Sequence, residues 1–224
     1  LVKALQEENV DILFNYPGAA TIDIMDELYK QDTVRVILPR HEQAMGHAAD
    51  GYARSTGKVG VLLATSGPGA TNAITGIADG MSDSVPMLIF TGQVGMSGIG
   101  KDAFQEADLL SMTTPITKHN YQVKKIEDIP RIVHEAFHLA NTGRKGPVVI
   151  DFPKDMGVLK TDVELTKDIN IPGYEVNSSP NKEDINKLIY MIKEAKKPLI
   201  LAGAGINHSK SNHLLTEFVT RHQI

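Results

Sequence analysis

Val59-Gly60-Val61-Leu62-Leu63-Ala64-Thr65-Ser66-Gly67-Pro68-Gly69 is the stretch that decides the fold. The run 59–65 is apolar and rich in β-branched residues, which reads as a strand buried on both faces of a parallel sheet. It enters a glycine turn, and small residues from Ala70 to about Ala78 continue as a helix. The same unit recurs on both sides. Val10–Phe14 is a strand that stops at Pro17-Gly18, with a helix over about 20–29. Val34–Leu38 is a strand followed by a helix from Glu42 to about Thr56. Pro86–Thr91 is a strand, 92–101 a glycine-rich loop, 126–140 an amphipathic helix and 147–152 a closing strand. Alternating strands and helices predict an α/β fold, a doubly wound parallel sheet flanked by helices. Ligands on such sheets bind beyond the carboxyl ends of the strands. The loops there are 16–20, 39–42, 65–69 and 91–105, and every chemically conspicuous residue falls on one of them.

From about Met156 to Pro180 the periodicity lapses, and Pro172-Gly173 and Ser178-Ser179-Pro180 mark a linker. Asn181–Lys196 then reads as a capped helix, Pro198–Ala202 as a strand, Gly203-Ala204-Gly205 as a turn and 209–220 as a helix. The expected organisation is a first domain over 1–157, a linker over 158–180 and, over 181–224, the truncated start of a second α/β domain. The chain opens in helical rhythm without a methionine and closes just after an amphipathic stretch, so a piece of a longer protein is expected.

The 224 residues carry a formal net charge of −4, with interspersed signs and no cysteine. Disulfides, thiolate nucleophiles and cysteine-based metal sites are excluded. No basic stripe suggests nucleic acid, and no apolar run suggests a membrane. No signal peptide is seen, and a cytoplasmic location is expected.

Glu42, in Arg40-His41-Glu42-Gln43, opens a helix whose positions 49 and 53 are alanines. Positions seven and eleven apart on a helix lie within roughly 20° of one another. A carboxylate in line with them is rarely buried unless it is paired or used. Burial disfavours a carboxylate's charge and a helix N-terminus favours it, so a glutamate between these pulls can share a proton with a ligand nitrogen. A capping carboxylate, bonded to backbone N–H groups, fits the same spacing. Ser66-Gly67-Pro68-Gly69-Ala70-Thr71-Asn72 could bring a ligand to a helix N-terminus or be a tight structural turn. It is neither a P-loop nor G-x-G-x-x-G. His134-Glu135-Ala136-Phe137-His138 matches H-E-x-x-H, but no third ligand is evident and both histidines are expected on the polar side of their helix. No metal site is assigned to them.

Tyr16-Pro17-Gly18, Arg40-His41-Glu42-Gln43, 49–54 (A-D-G-Y-A-R), 65–72 (T-S-G-P-G-A-T-N), Thr91-Gly92-Gln93-Val94, Asp102-Ala103-Phe104-Gln105-Glu106, Thr117-Lys118-His119-Asn120 and Gly146-Pro147-Val148 occur in this order. The series resembles the large catalytic subunits of the acetolactate synthase (acetohydroxyacid synthase) family, transferases that use thiamine diphosphate (ThDP). The resemblance covers the whole chain, most specifically 16–155. It implies the N-terminal pyrimidine-binding domain plus the start of a central FAD-associated domain, in valine, leucine and isoleucine synthesis. Pyruvate would be decarboxylated and its two-carbon unit passed to a second pyruvate or to 2-ketobutyrate.

The resemblance also implies site residues. Glu42 would bond N1′ of the aminopyrimidine and Gln105 would lie near the reacting groups, with Lys118 as a third catalytic residue. Tyr16, Pro17, Gly18, Pro68 and Asn72 would surround the pyrimidine. Phe104 would lie beside the flavin, and Arg144, Gly203 and Gly205 would contact FAD, which is structural in this family. Ala19, Ala20, Gly95, Phe104 and Lys154 would line the substrate channel. Full-length chains would form homodimers or homotetramers, with a small regulatory subunit as a further partner. Ala19 stands where the family usually has glycine, Gly95 where proline is frequent and Lys101 where threonine is frequent. These departures bear on inhibitor sensitivity and substrate preference. The family's G-D-G…N motif, which holds Mg²⁺ and the diphosphate, does not occur in these residues, so the chain alone is expected to be inactive. Pyruvate oxidases and 2-keto-acid decarboxylases share a helix-borne glutamate but lack D-A-F-Q-E and T-K-H-N together. A non-catalytic regulatory module of the same fold would not need a carboxylate on an apolar helix face.

Overall fold

The computed structural model describes residues 1–165, 169–176 and 179–224. They form two compact units, Leu1–Val176 and Asn177–Ile224. Parts of the expected linker, 166–168 and 177–178, lie outside the described residues.

The first unit runs α1 (Val2–Glu7), β1 (Ile12–Tyr16), α2 (Ile22–Tyr29), β2 (Arg35–Ile37), α3 (Glu42–Thr56), β3 (Gly60–Ala64), α4 (Pro68–Asn72), α5 (Ile74–Ser82), β4 (Met87–Gln93), α6 (Leu109–Thr113), β5 (His119–Gln122), α7 (Ile129–Asn141), β6 (Pro147–Pro153) and α8 (Lys154–Val158). The six strands are all parallel, in the order β2-β1-β3-β4-β6-β5. β3, β4 and β6 are buried along their whole length, as near-continuous apolar strands of a covered parallel sheet must be.

Alternation along the strands sorts the core into two layers. Leu13, Val61, Leu63, Leu88, Phe90, Val148 and Ile150 pack with α1, α2 and α7. Phe14, Leu62, Ala64, Met87, Ile89 and Val149 pack with α3 and α5 through Met45, Ala49, Ala53 and Ile77. The second layer is thin because its helix residues are small. A Cβ at Gly76 would lie 2.8 Å from the Gly46 Cα, and one at Gly60 would lie 2.2 Å from the Ala49 carbonyl oxygen. α3 therefore sits directly against both α5 and β3. Gly57, left-handed at φ 74°, ends α3, its N–H bonded to the Ala53 carbonyl.

Several expectations change. The helix expected over 70–78 is two helices, α4 and α5, and runs on to Ser82. Gly92 lies inside β4 rather than opening the loop. α6, β5 and α8 carry no strong sequence signal, since β5 is a polar edge strand that pairs with β6 alone. His134 is buried rather than on a polar face, because α1 covers that side of α7 and brings Glu7 and Glu8 to its ring nitrogens. His138 instead packs edge-on to Tyr174, with ring centroids 5.9 Å apart. The described residues contain no cluster of histidine and carboxylate groups able to hold a metal ion.

The second unit contains α9 (Lys182–Glu194), α10 (Gly205–His208) and α11 (Asn212–His222). Asn181 caps α9 by accepting from the Glu183 N–H at 2.8 Å. The strand expected at 198–202 does not form. A strand needs a neighbour to take its backbone groups, and no described residue of this unit supplies one. Leu199 and Leu201 stand 93% and 98% exposed.

Candidate cofactor site at the carboxyl edge of the sheet

The chain leaves β1 for α2 on one face of the sheet and β3 for α4 on the other. Adjacent strands that send their chains to opposite faces open a crevice at their carboxyl ends. The sequence closes this crevice tightly. A Cβ at Gly18, after β1, would lie 2.4 Å from Thr65 Oγ1, after β3. One at Gly92 would lie 2.9 Å from the Ala20 Cβ and 3.2 Å from the Ser66 N. The turns after β1 and β3 and the end of β4 thus meet at backbone distance.

Glu42 enters this corner from α3. Its first helical residue is only 8% exposed. The capping reading is settled by its neighbour: His41 is the N-cap, and its Nδ1 accepts from the Gln43 N–H at 3.1 Å. The Glu42 carboxylate is left for other use. Oε2 accepts from Asn72 Nδ2 at 3.1 Å. Oε1 accepts from none of the described residues, and a Cβ at Gly69 would stand 3.2 Å from it. Glycine at 69 therefore keeps that oxygen uncovered. Thr65 Oγ1, in the same corner, is buried without a hydrogen-bond partner among the described residues.

The loop after β4 reaches the corner from the opposite side. Gln105 adopts a left-handed backbone at φ 61°. Its carbonyl oxygen would lie 2.4 Å from a Cβ at Gly67, itself at φ 56°. Any side chain at 67 would displace this loop. Phe104 beside it is 88% exposed. Glu106 braces the loop through the Gly100 and Ala103 N–H groups, which hold its carboxyl below the ordinary value of 4.5. A depressed folded value stabilises the braced form above the unfolded value, and the benefit is lost as pH falls through the folded one. The amides of Gly100 and Ala103 should therefore stay protected from hydrogen exchange above the ordinary carboxyl range and lose protection only as pH falls below it, once intrinsic rates are corrected. Protection independent of pH across that range would refute the carboxylate brace.

The structure brings together Gly18, Glu42, Pro68, Asn72 and the Gln105 backbone, with Tyr16 and Pro17 leading in from β1 and Ala19 and Ala20 in the turn that follows. Gly95 and Lys154 lie along the same edge, after β4 and β6. A Cβ at Gly95 would be 3.7 Å from Asp155 Oδ2, the oxygen that accepts from the Met96 N–H at 3.1 Å. Lys118 and Arg144 are at the other end of the sheet, beside the amino end of β6. Lys118 Nζ donates to the carbonyls of Leu139 and Thr142, the latter at 2.8 Å, and to the Tyr174 hydroxyl at 3.1 Å. Arg144 donates to Ser84 Oγ at 2.9 Å and to the Met81 carbonyl at 3.0 Å, fastening the end of α5. Gly203 and Gly205 belong to the second unit, where a Cβ at either would meet nothing within 4 Å. Sequence reading passed over Thr65 and Glu106 as site residues. Glu106 adjoins Gln105 in the F-Q-E run, and Thr65 precedes the S-G-P-G turn, but neither residue type alone signals a buried orphan hydroxyl or a loop brace.

The corner thus holds a buried carboxylate with one open oxygen, at a strand-order switch and among glycines that admit a ligand to the backbone. Residues 1–112 match the family described as thiamine pyrophosphate enzyme, N-terminal TPP binding domain. The chain belongs to the thiamine pyrophosphate enzyme family. Within this family it is similar to proteins named acetolactate synthase large subunit. It is 50% identical to that of Lactococcus lactis over 224 residues, all of this chain and 39% of the relative. Against that of Corynebacterium glutamicum it is 49% identical over 97% of this chain and 35% of the relative. A probable acetolactate synthase large subunit of Methanococcus aeolicus is 48% identical over 98% of this chain and 37% of the relative. The chain thus spans well under half the length of these relatives.

Proposed function

We propose that the protein carrying this chain is the large, catalytic subunit of an acetolactate synthase. It decarboxylates pyruvate and transfers the two-carbon unit to a second 2-keto acid, giving 2-acetolactate or, from 2-ketobutyrate, 2-aceto-2-hydroxybutyrate. The observation that carries this reading is the Glu42 carboxylate, buried and pinned through one oxygen by Asn72 while the other stays open.

The corner fits the aminopyrimidine half of ThDP. It offers an orphan hydroxyl at Thr65 and an open acceptor at Glu42, in a crevice that glycine at 69 leaves uncovered. When bound, ThDP supplies a carbon acid and an electron sink for decarboxylating 2-keto acids. The chain's own residues supply the proton handling. Asn72 fixes the carboxylate so that Oε1 presents to the ring, and burial among α3, α4 and the turn after β3 keeps water from competing. With the ring bound, Glu42 Oε1 would hold and return a proton at N1′, a task for which a positioned carboxylate is suited. Pro68 and Tyr16 would flank the ring, and Gln105 would orient the substrate, with Phe104 as an apolar wall. Lys154 and Gly95 line the approach. FAD and Mg²⁺ belong to this proposal through the family resemblance, with Arg144, Gly203 and Gly205 on the flavin and the ion in a part of the protein beyond these residues. The same holds for a homo-oligomer, a regulatory subunit and a cytoplasmic site of action, whereas Lys118, held at the opposite end of the sheet by the Leu139 and Thr142 carbonyls, takes no catalytic role in this corner. No helix among the described residues is long and apolar enough to cross a membrane.

Full-length protein supplied with pyruvate, ThDP, Mg²⁺ and FAD should form acetolactate, whereas residues 1–224 alone should release no CO₂. Turnover by the isolated 224 residues would show that the remaining cofactor contacts are not required. Acetaldehyde or acetate as the only product of the full-length protein would replace the assignment with a decarboxylase or an oxidase.

A further inference from the structure

The loop from Val94 to Asp108 must carry Gln105 to the Gly67 turn, and its backbone is poorly suited to do so unaided. Gly100, Asp102 and Gln105 all have left-handed conformations, at φ 75°, 53° and 61°. Two of the three bear a Cβ, for which that region is disfavoured. Glu106 supplies what the backbone lacks. Its Oε1 accepts the Gly100 N–H, its Oε2 accepts the Ala103 N–H at 2.9 Å, and its own N–H donates to the Ala103 carbonyl at 2.9 Å. One side chain thereby closes a ring over 100–106, with Phe104 and Gln105 on its outer limb. The ring is seated from below by two further links. The Gln105 carbonyl abuts Gly67, and Gln93 Nε2 donates to the Ala107 carbonyl at 3.0 Å. Gln93 in turn neighbours the fully buried Asp151, which also accepts from Thr91 and Gln122. The seat is rigid, and the carboxylate of Glu106 is the only side chain among the described residues that ties the two limbs of the ring together.

We propose that Glu106 is a positioning residue for the reaction: by clamping the Gly100 and Ala103 amides it holds Gln105 in its left-handed conformation against Gly67, and so sets where the Gln105 side chain enters the crevice. This rests on the reading of Gln105 as a substrate-orienting group. Glu106 touches no substrate and acts through its neighbour.

The test uses four variants of the full-length protein: Glu106→Gln, Glu106→Asp, Gln105→Ala, and Glu106→Gln combined with Gln105→Ala. The amide isostere can accept at only one of its two positions and must lose one clamp. Glu106→Gln should lower kcat about tenfold to a hundredfold, the scale of a small misplacement of an orienting group. Thermal stability should hardly change, and trypsin should cut faster after Lys101. Glu106→Asp, which keeps the charge and shortens the reach, should fall between wild type and Glu106→Gln. In the Gln105→Ala background, adding Glu106→Gln should cost less than about twofold more, because residues acting through one another are not additive. Full activity in Glu106→Gln, or losses that simply multiply in the combined variant, would overturn the proposal. A wild type that forms no acetolactate would instead sink the functional reading. Positioning would then be judged by the Gln105 amide: faster hydrogen exchange in Glu106→Gln upholds it, and an unchanged rate overturns it.

Discussion

Glu42→Gln in the full-length protein should lower acetolactate formation about 10²–10⁴-fold, the range lost when a positioned acid–base group is removed. The substitution is nearly isosteric. Asn72 Nδ2 can still donate to an amide oxygen at Oε2's place, so the corner should keep its shape and the protein its stability. What disappears is an oxygen able to hold a proton and release it. The loss should therefore appear in kcat, with the KM for pyruvate little changed, because a group that acts only as bonds change contributes little to ground-state binding. Asn72→Ala should have a smaller effect, since it loosens the carboxylate without removing it. Steady-state kinetics of the three proteins, with thermal melts as the control, checks this. Retained activity in Glu42→Gln would defeat the assignment.

The second large effect is on stability and needs only the first unit. Gly60→Ala should destabilise the chain by about 1–3 kcal/mol, the usual cost of forcing a methylene into a filled interior. Its new methyl would lie 2.2 Å from the Ala49 carbonyl oxygen and 2.8 Å from its carbon. Both are backbone atoms of α3, which cannot swing aside as a flexible side chain would. For a unit of this size the melting temperature should drop by roughly 3–10 °C. Gly51→Ala is the matching control: it lies on the exposed side of the same helix with nothing within 4 Å of its would-be Cβ. It should raise stability by about 0.4–1 kcal/mol through the unfolded chain. Equal effects of the two substitutions would mean that α3 does not pack on β3 as described.

The contrast between these glycines shows where sequence reading works. The buried strands were legible because a run such as Val61-Leu62-Leu63-Ala64 has few other places to go. Glu42 was legible as a buried carboxylate because alanines follow it at helical spacing. The role of His41 as the cap was not, since a histidine ring nitrogen accepting from Gln43 is an unusual cap and a capping glutamate fits the same spacing. β5 escaped because His119-Asn120-Tyr121-Gln122 is held by its backbone pairing to β6, not by its own apolar pattern. The strand expected at 198–202 had the pattern but lacked a neighbour. His134 was misplaced because amphipathicity describes a helix alone, whereas α1 comes from more than a hundred residues away to cover its second face. The site followed the same rule. Helical spacing marked Glu42 and the family resemblance marked Asn72 and Gln105, but only coordinates could show that Thr65 presents an orphan hydroxyl and that Glu106 turns inward to brace a loop.

The most direct measurement is hydrogen–deuterium exchange at the thiazolium C2 position of ThDP bound to the full-length protein, without pyruvate. With Glu42 in place the proton should leave faster than from free ThDP. With Glu42→Gln it should slow by about a hundredfold or more, both proteins being saturated with cofactor. Equal exchange rates in the two proteins would show that the Glu42 carboxylate takes no part in moving that proton.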